Sequence, residues 1–197
     1  MTSGLPTRRW ALLLLAAGCS PPTPDPDLGG PTGGDALGAG DAAPAVSCPP
    51  PGPFGYEVGD DIVDLTFTDC DGAEVGLHDL CGAPLGMVIN VYGWCTTCWG
   101  WLDLAAELEA EHGDDGLSVI AVVTEDPFEQ PPDADYCRGV RDYAGLQTVV
   151  MDPEATLEAY GRTDLVILTA PSGEIVFLRD DASEHTVVEA VEKGLRR

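Results

Sequence analysis

Two cysteines separated by two threonines, Cys95 and Cys98, are the residues of this chain best suited to chemistry. Thiols three positions apart on one helical turn can close a disulfide, so one can attack a foreign disulfide while the other resolves the product. The attacking species is the thiolate rather than the thiol. The spacing therefore predicts a redox-active pair, provided that a helix begins at these residues.

The segments on either side of the pair predict a strand followed by a helix. Residues 85–92 form a continuous apolar run of strand length, as in a strand buried on both faces. From residue 96 to about residue 112 the apolar positions follow helical spacing, and Gly113 ends the pattern. Free N–H groups and the positive end of the dipole stabilise a thiolate in the first turn of such a helix. We expect Cys95, nearer the helix end, to attack and Cys98 to resolve.

Two other interpretations of the pair stay open from the residues alone. It could be a purely structural disulfide, or it could supply half of a zinc site. Zinc would need two further ligands, for which Cys70 and Cys81 are the candidates. His78, His112 and His185 show no spacing typical of a metal site. An oxidising compartment favours pairing of Cys70 and Cys81 over metal binding, so we expect neither a metal nor another cofactor.

The rest of the chain predicts alternating strands and helices, which is typical of an α/β fold with a mixed sheet. Asp71 and Gly72 form a turn signal within a first hairpin, and Asp152 followed by Pro153 is a strong helix start. Asp181 and Glu184 resemble a capping box for a last helix. The predicted strands are residues 62–68, 117–123, 148–151, 165–168 and 175–178, with helical segments at 77–80, 133–144, 152–161 and from 181 onward.

The N-terminus indicates export. Arg8 and Arg9 precede an apolar run at residues 10–17, which is too short to span a bilayer but typical of a secretory signal. Residues 15–19, LAAGC, resemble the lipobox of bacterial lipoproteins, in which the cysteine becomes the acylated N-terminus. The resemblance implies a signal peptide over residues 1–18 and lipidation of Cys19. It also implies a cell-envelope location facing the periplasm or exterior, at the outer membrane because Ser20 is not aspartate.

Composition divides the mature chain into a tether and one domain. Residues 19–55 contain ten of the seventeen prolines and little that could form a core, so we expect a disordered tether. Residues 56–197 are long enough for a single domain. The formal net charge of −25 excludes nucleic acid and anionic lipid surfaces as natural partners.

Residues 56–197 resemble the TlpA/ResA-like (redoxin, AhpC-TSA-like) branch of the thioredoxin superfamily. Residues 64–82, DLTFTDCDGAEVGLHDLCG, resemble its N-terminal hairpin; residues 87–98, MVINVYGWCTTC, its catalytic strand and WCxxC motif; and residues 172–178, SGEIVFL, its final hairpin. The resemblance implies a thioredoxin-like three-layer fold with an N-terminal β-hairpin extension. It implies thiol–disulfide exchange with protein substrates, and a membrane electron donor of the DsbD/CcdA kind.

The same resemblance assigns roles around the pair. Cys95 is the nucleophile, Cys98 the resolving thiol and Trp94 a flanking aromatic of the substrate groove, which Thr96 and Thr97 share. The family usually has proline where this chain has Thr97, and a cis-proline opposite the pair. No proline lies in residues 161–165, so Thr163 or Asp164 would occupy that place.

The other four cysteines are expected to form structural disulfides, because an even number of cysteines in an exported protein is typical of full pairing. Three pairings can be drawn. We favour Cys70–Cys81, because these residues flank a hairpin and one helical turn, and Cys48–Cys137 as a staple for the end of the tether. In a functional alternative, Cys137 relays electrons from the pair.

Two other functions compete with exchange. One is a redoxin-like peroxidase, although Tyr92 and Gly93 stand where that class has its own active-site residues. The other is a non-catalytic binding or metal-carrying lipoprotein on the same fold.

Overall fold

The computed structural model describes residues 47–197. The strands are Phe54–Gly55 (β1), Asp61–Ile62 (β2), Thr66–Asp69 (β3), Glu74–Gly76 (β4), Leu85–Tyr92 (β5), Leu117–Glu125 (β6), Val149–Met151 (β7), Val166–Thr169 (β8) and Ile175–Arg179 (β9). The α-helices are Thr96–His112 (α1), Ala134–Ala144 (α2) and Glu184–Leu195 (α3), with 3-10 helices at Leu77–Leu80 and Thr156–Ala159.

Seven strands form one mixed sheet in the order β4-β3-β7-β6-β5-β8-β9. Strand β5 lies near its centre, parallel to β6 and antiparallel to β8. All eight residues of β5 are buried, as the uninterrupted apolar run predicts. Because β5 is fixed on both edges and both faces, the residue that follows it starts from a rigid position.

The two faces of the sheet are covered differently. One face packs against all three α-helices through buried side chains such as Leu102 of α1, Val140 of α2 and Val187 of α3. The other face packs against the N-terminal segment and the two 3-10 helices, with Leu77 and Leu157 fully buried there. The mixed sheet with helical layers confirms the predicted α/β class, although the second layer is made of short turns and extended chain.

Most predicted elements are confirmed, and two helix starts are wrong. Asp152 does not begin an α-helix: its carboxylate accepts bonds from the backbone N–H of Leu157 and the hydroxyl of Thr156, and the chain forms only one 3-10 turn. Helix α3 is capped by Ser183 rather than by Asp181, because the Ser183 hydroxyl accepts the N–H of Thr186. The predicted strand at residues 62–68 is interrupted and forms the separate strands β2 and β3.

The predicted pairing of the four cysteines outside the CxxC pair is wrong. The disulfides join Cys48 to Cys81 and Cys70 to Cys137. Strand β3 pairs with β7 at the register Asp69–Val150, which brings Cys70 beneath α2, where Cys137 is buried. A pairing of Cys70 with Cys81 is thereby excluded, since Cys81 lies beside Cys48 and the Pro171 carbonyl instead. Cys137 is therefore bonded to Cys70 and is not free to relay electrons.

The described part of the chain includes residues that the sequence assigns to the tether. Cys48 is bonded to Cys81, Pro50 packs against the turn at Gly173, and β1, which precedes Tyr56, pairs with β2. The signal peptide, Cys19 and most of the predicted tether lie outside the described residues. Within residues 47–197 no helix has the length and apolar character needed to cross a bilayer.

Candidate active site

The Cys95–Cys98 disulfide lies where β5 passes into α1. Cys95 is the N-cap of α1, and its sulfur accepts the backbone N–H of Cys98 at 3.2 Å. The Thr97 hydroxyl lies 3.3 Å from the same sulfur. Cys95 is 6% exposed and Cys98 is fully buried, whereas Thr96 and Thr97 are exposed. A foreign disulfide can therefore approach the Cys95 sulfur, with Cys98 behind it.

Gly93 allows the backbone at Asp126 and Pro127 to approach the segment between β5 and Cys95 closely. A β-carbon at this position would lie 2.6 Å from the carbonyl carbon of Asp126 and 2.6 Å from the nitrogen of Pro127. Only a residue without a side chain can sit against that backbone. The turn at 126–130 thus packs directly against the segment that leads to Cys95.

Trp94 is held at the surface beside the pair. Its side chain is 42% exposed, and its indole N–H donates to the carboxylate of Glu125 at the end of β6. Its ring centroid lies 5.3 Å from that of Tyr92. This arrangement presents one face of the indole to solvent next to Cys95.

Asp164 occupies the loop opposite the pair, where the resemblance implies a cis-proline. The two cis peptide bonds of the described residues lie at Cys48–Pro49 and Gly52–Pro53, away from this loop. Asp164 adopts a left-handed conformation with φ of 63° and accepts the indole N–H of Trp101 at 3.0 Å. Its carboxylate lies within 4.8 Å of both sulfurs. Of the two expected residues, the structure brings Asp164 to the pair, and the half-buried Thr163 lies beside it in the chain.

A network of polar groups, buried at Asn90, Tyr92 and Thr124, holds this loop in place. The Thr124 hydroxyl donates to the Asn90 side chain at 2.7 Å, and the Asn90 amide nitrogen lies 3.5 Å from the carbonyl of Arg162. The Tyr92 hydroxyl donates to Glu158 at 2.8 Å, and Arg162 pairs with the same carboxylate at 3.0 Å. Burial, together with the bond to Glu158, raises the pKa of Tyr92 to about 12. The loop is therefore fixed to β5, β6 and the second 3-10 helix.

Sequence reasoning did not find this network, nor the role of Trp101. Asn90 and Tyr92 are polar side chains within an otherwise apolar run, and such residues need buried partners. That signal could have marked them. Nothing in the spacing indicates that Trp101 would reach Asp164, because the two residues are 63 positions apart.

Among residues 47–197, one group of side chains converges as metal ligands would: Cys95, Cys98 and Asp164. The zinc set suggested by the sequence is not brought together, because Cys70 and Cys81 are bonded to Cys137 and Cys48.

Comparisons with known proteins identify the fold. No family model matches the chain, and no curated protein matches it. The thioredoxin domain of a thiol–disulfide oxidoreductase from Bacteroides vulgatus is 19% identical with a TM-score of 0.57, covering 72% of this chain and 99% of that one. A thioredoxin-like protein from Aeropyrum pernix is 20% identical with a TM-score of 0.54, covering 66% and 89%.

A third solved structure comes from a secreted protein. A disulfide oxidoreductase from Mycobacterium tuberculosis, homologous to Escherichia coli DsbE, is 13% identical with a TM-score of 0.53, covering 66% of this chain and 95% of that one. Identities this low, with TM-scores above 0.5, show a shared fold. The chain therefore has the thioredoxin-like fold.

Proposed function

We propose that this protein is an extracytoplasmic thiol–disulfide oxidoreductase that exchanges disulfides with exported proteins through Cys95 and Cys98. The observation that carries the proposal is the position of the pair: a disulfide at the first turn of α1, after strand β5 near the centre of the sheet in a thioredoxin-like fold. A structural staple needs no such place, whereas a reactive thiolate is stabilised by it.

The reaction begins with the reduced pair. The Cys95 thiolate attacks one sulfur of a substrate disulfide, forming a mixed disulfide and releasing the other substrate sulfur as a thiolate. The Cys98 thiolate then attacks the Cys95 sulfur, closing the Cys95–Cys98 disulfide and releasing the second substrate thiolate. Two electrons pass from the pair to the substrate, and each released thiolate takes a proton from solvent.

The burial of the two sulfurs supports this division of roles. Cys95 retains some exposure and is flanked by the exposed Trp94, Thr96 and Thr97, which would contact the substrate chain. Cys98 is fully buried and bonded to Cys95, so a substrate chain meets Cys95 first. A protein substrate would lie across this surface, between Trp94 and the loop at Thr163 and Asp164.

The location of the reaction follows from the N-terminus. Residues 1–18 direct export, and Cys19 carries the acyl chains that anchor the protein to the outer membrane. The tether that follows Cys19 separates the domain from this membrane. The three disulfides of the described residues suit an oxidising compartment. The pair is re-reduced by a membrane electron donor of the DsbD/CcdA kind.

Reduction of insulin by the purified protein with a dithiol as electron source tests the activity. We expect turnover by the native protein, background in Cys95→Ser, and a stable mixed disulfide with substrate in Cys98→Ser. A variant with both Cys48 and Cys81 changed to serine is the matched control, since it removes a disulfide elsewhere on the surface and should retain turnover. Turnover that persists in Cys95→Ser would refute the proposal.

A further inference from the structure

The carboxylate of Asp164 lies beside the two sulfurs, and the proposed disulfide exchange gives it no role. The three ligand atoms lie within 4.8 Å of one another. We propose that the reduced pair and Asp164 form a binding site for Zn²⁺ or a similar borderline-soft divalent cation.

The cysteines have the spacing that a metal requires. CxxC is the usual spacing of cysteine ligands in zinc sites, with Zn–S bonds of about 2.3 Å that place two sulfurs about 3.8 Å apart. The sulfurs are 2.15 Å apart as a disulfide, and reduction frees them to separate. The site therefore exists only in the reduced protein.

Asp164 is held where a third ligand would be needed. Its left-handed backbone conformation and the bond from the Trp101 indole to Oδ1 fix the side chain, and they leave Oδ2 for a metal. A hydrogen bond of this kind orients a ligating carboxylate and is a regular feature of metal sites. Trp101 is only 7% exposed, so the donor is itself fixed by packing.

A cleft beside the site adds a second, independent argument. It has a volume of about 450 Å³ and is lined by Thr97, Trp101 and three carboxylates, Asp164, Asp181 and Glu184. No cationic side chain lines it among the described residues. The negative potential of these carboxylates attracts cations to the cleft, and Asp164 belongs both to its wall and to the group of three ligands.

The ligand set selects the class of metal. Two thiolates favour zinc and other borderline-soft ions over Mg²⁺ and Ca²⁺, which prefer oxygen ligands. Binding forms two metal–sulfur bonds and one metal–oxygen bond, displaces waters from the metal and releases the two thiol protons to solvent, with no transfer of electrons. Zn²⁺ then occupies the same sulfurs that would attack a substrate disulfide, so metal and substrate compete.

Cobalt binding to the purified protein tests the site, since Co²⁺ reports thiolate ligands by a charge-transfer band. The Cys95–Cys98 disulfide is opened with a phosphine reductant, and alkylation with peptide mass spectrometry identifies Cys95 and Cys98 as the free thiols. We expect one Co²⁺ per chain with a charge-transfer band, displaced by Zn²⁺, and no band in the oxidised protein. Asp164→Asn should weaken Co²⁺ binding at least about tenfold, as loss of a ligand or its partner does.

Asp181→Asn is the matched control. It removes a carboxylate from the same cleft without touching the sulfurs, so screened electrostatics alone should change the affinity by less than about threefold. Absence of the band in the reduced native protein, or equal affinity in Asp164→Asn, would overturn the site.

A measurement on the native chain covers the case in which Asp164→Asn does not fold. One equivalent of Zn²⁺ should protect Cys95 and Cys98 from alkylation, whereas Mg²⁺ should not; lack of protection overturns the proposal. Cobalt binding without insulin reduction would contradict the proposed exchange activity and leave the metal site standing, so the two can fail separately.

Discussion

Trp101 and Asp164 are joined by a hydrogen bond of 3.0 Å that connects helix α1 with the loop opposite the cysteine pair. The donor lies on the second turn of the helix that Cys95 caps, and the acceptor lies within 4.8 Å of both sulfurs. At the loop where the resemblance to the TlpA/ResA-like branch implies a cis-proline, this chain has Asp164, which a side-chain contact with Trp101 holds in place.

Replacing Trp101 by phenylalanine should therefore destabilise the protein. Phenylalanine keeps most of the buried ring but leaves the Asp164 carboxylate without its donor, at a cost of about 1–2 kcal/mol. Urea unfolding followed by circular dichroism measures the free energy of unfolding. The matched control is Tyr143→Phe, which removes a bond to Asp103 at the exposed surface and should change it by less than about 0.5 kcal/mol. Equal losses in the free energy of unfolding would show that the bond from Trp101 to Asp164 stabilises the fold no more than an exposed surface bond does.

The sequence predicts the cysteine pair and its surroundings well because those signals are local. The apolar run of β5 and the helical spacing of α1 adjoin the pair, and both elements begin and end where the pattern indicates. The disulfide partners are not local. Cys70 meets Cys137 only because β3 pairs with β7, a register that no spacing in the chain reveals.

Alkaline pH should weaken the fold through Tyr160. Burial raises the pKa of Tyr160 to about 12 from an ordinary value of 10.0, and its hydroxyl accepts the N–H of Val63 at 2.7 Å. The folded state holds the proton more tightly than the unfolded state, so this contribution is complete below pH 10 and is lost between about pH 10 and pH 12.

Urea unfolding of the native protein and Tyr160→Phe at pH 9 and pH 11 measures this dependence. The native protein should lose more stability than the variant between these values. A pH dependence that is identical in the two proteins would refute the role of Tyr160.

The two disulfides outside the CxxC pair, Cys48–Cys81 and Cys70–Cys137, should be reduced in a fixed order. Cys48 is exposed and Cys81 half-buried, whereas Cys70 and Cys137 are fully buried. Graded reduction followed by alkylation and peptide mass spectrometry should therefore label Cys48 and Cys81 well before Cys70 and Cys137. Removing the buried pair should also cost more stability, because it closes a chain segment of 67 residues rather than 33. Simultaneous labelling of all four residues would contradict the order.

Membrane attachment should depend on Cys19. The lipobox resemblance predicts that the native protein fractionates with membranes and incorporates labelled fatty acid when it is expressed in a bacterium. Cys19→Ser should remove the label and release the protein to the soluble fraction, with the fold of residues 47–197 unchanged by circular dichroism. Membrane association and labelling that survive in Cys19→Ser would exclude lipidation at this residue.

The proposed function requires that Cys95 and Cys98 are a working redox pair rather than a structural disulfide. The most direct test is the reduction potential of this pair, measured by equilibrating the protein with glutathione buffers and counting the alkylated cysteines by mass spectrometry. Structural disulfides of secreted proteins have potentials below about −300 mV, while those of exchange proteins lie between about −270 and −120 mV. The position of the pair at the start of α1 predicts a value above about −300 mV, with Cys70–Cys137 still oxidised in the same buffers. A pair that stays oxidised as long as Cys70–Cys137 does would contradict the proposed function.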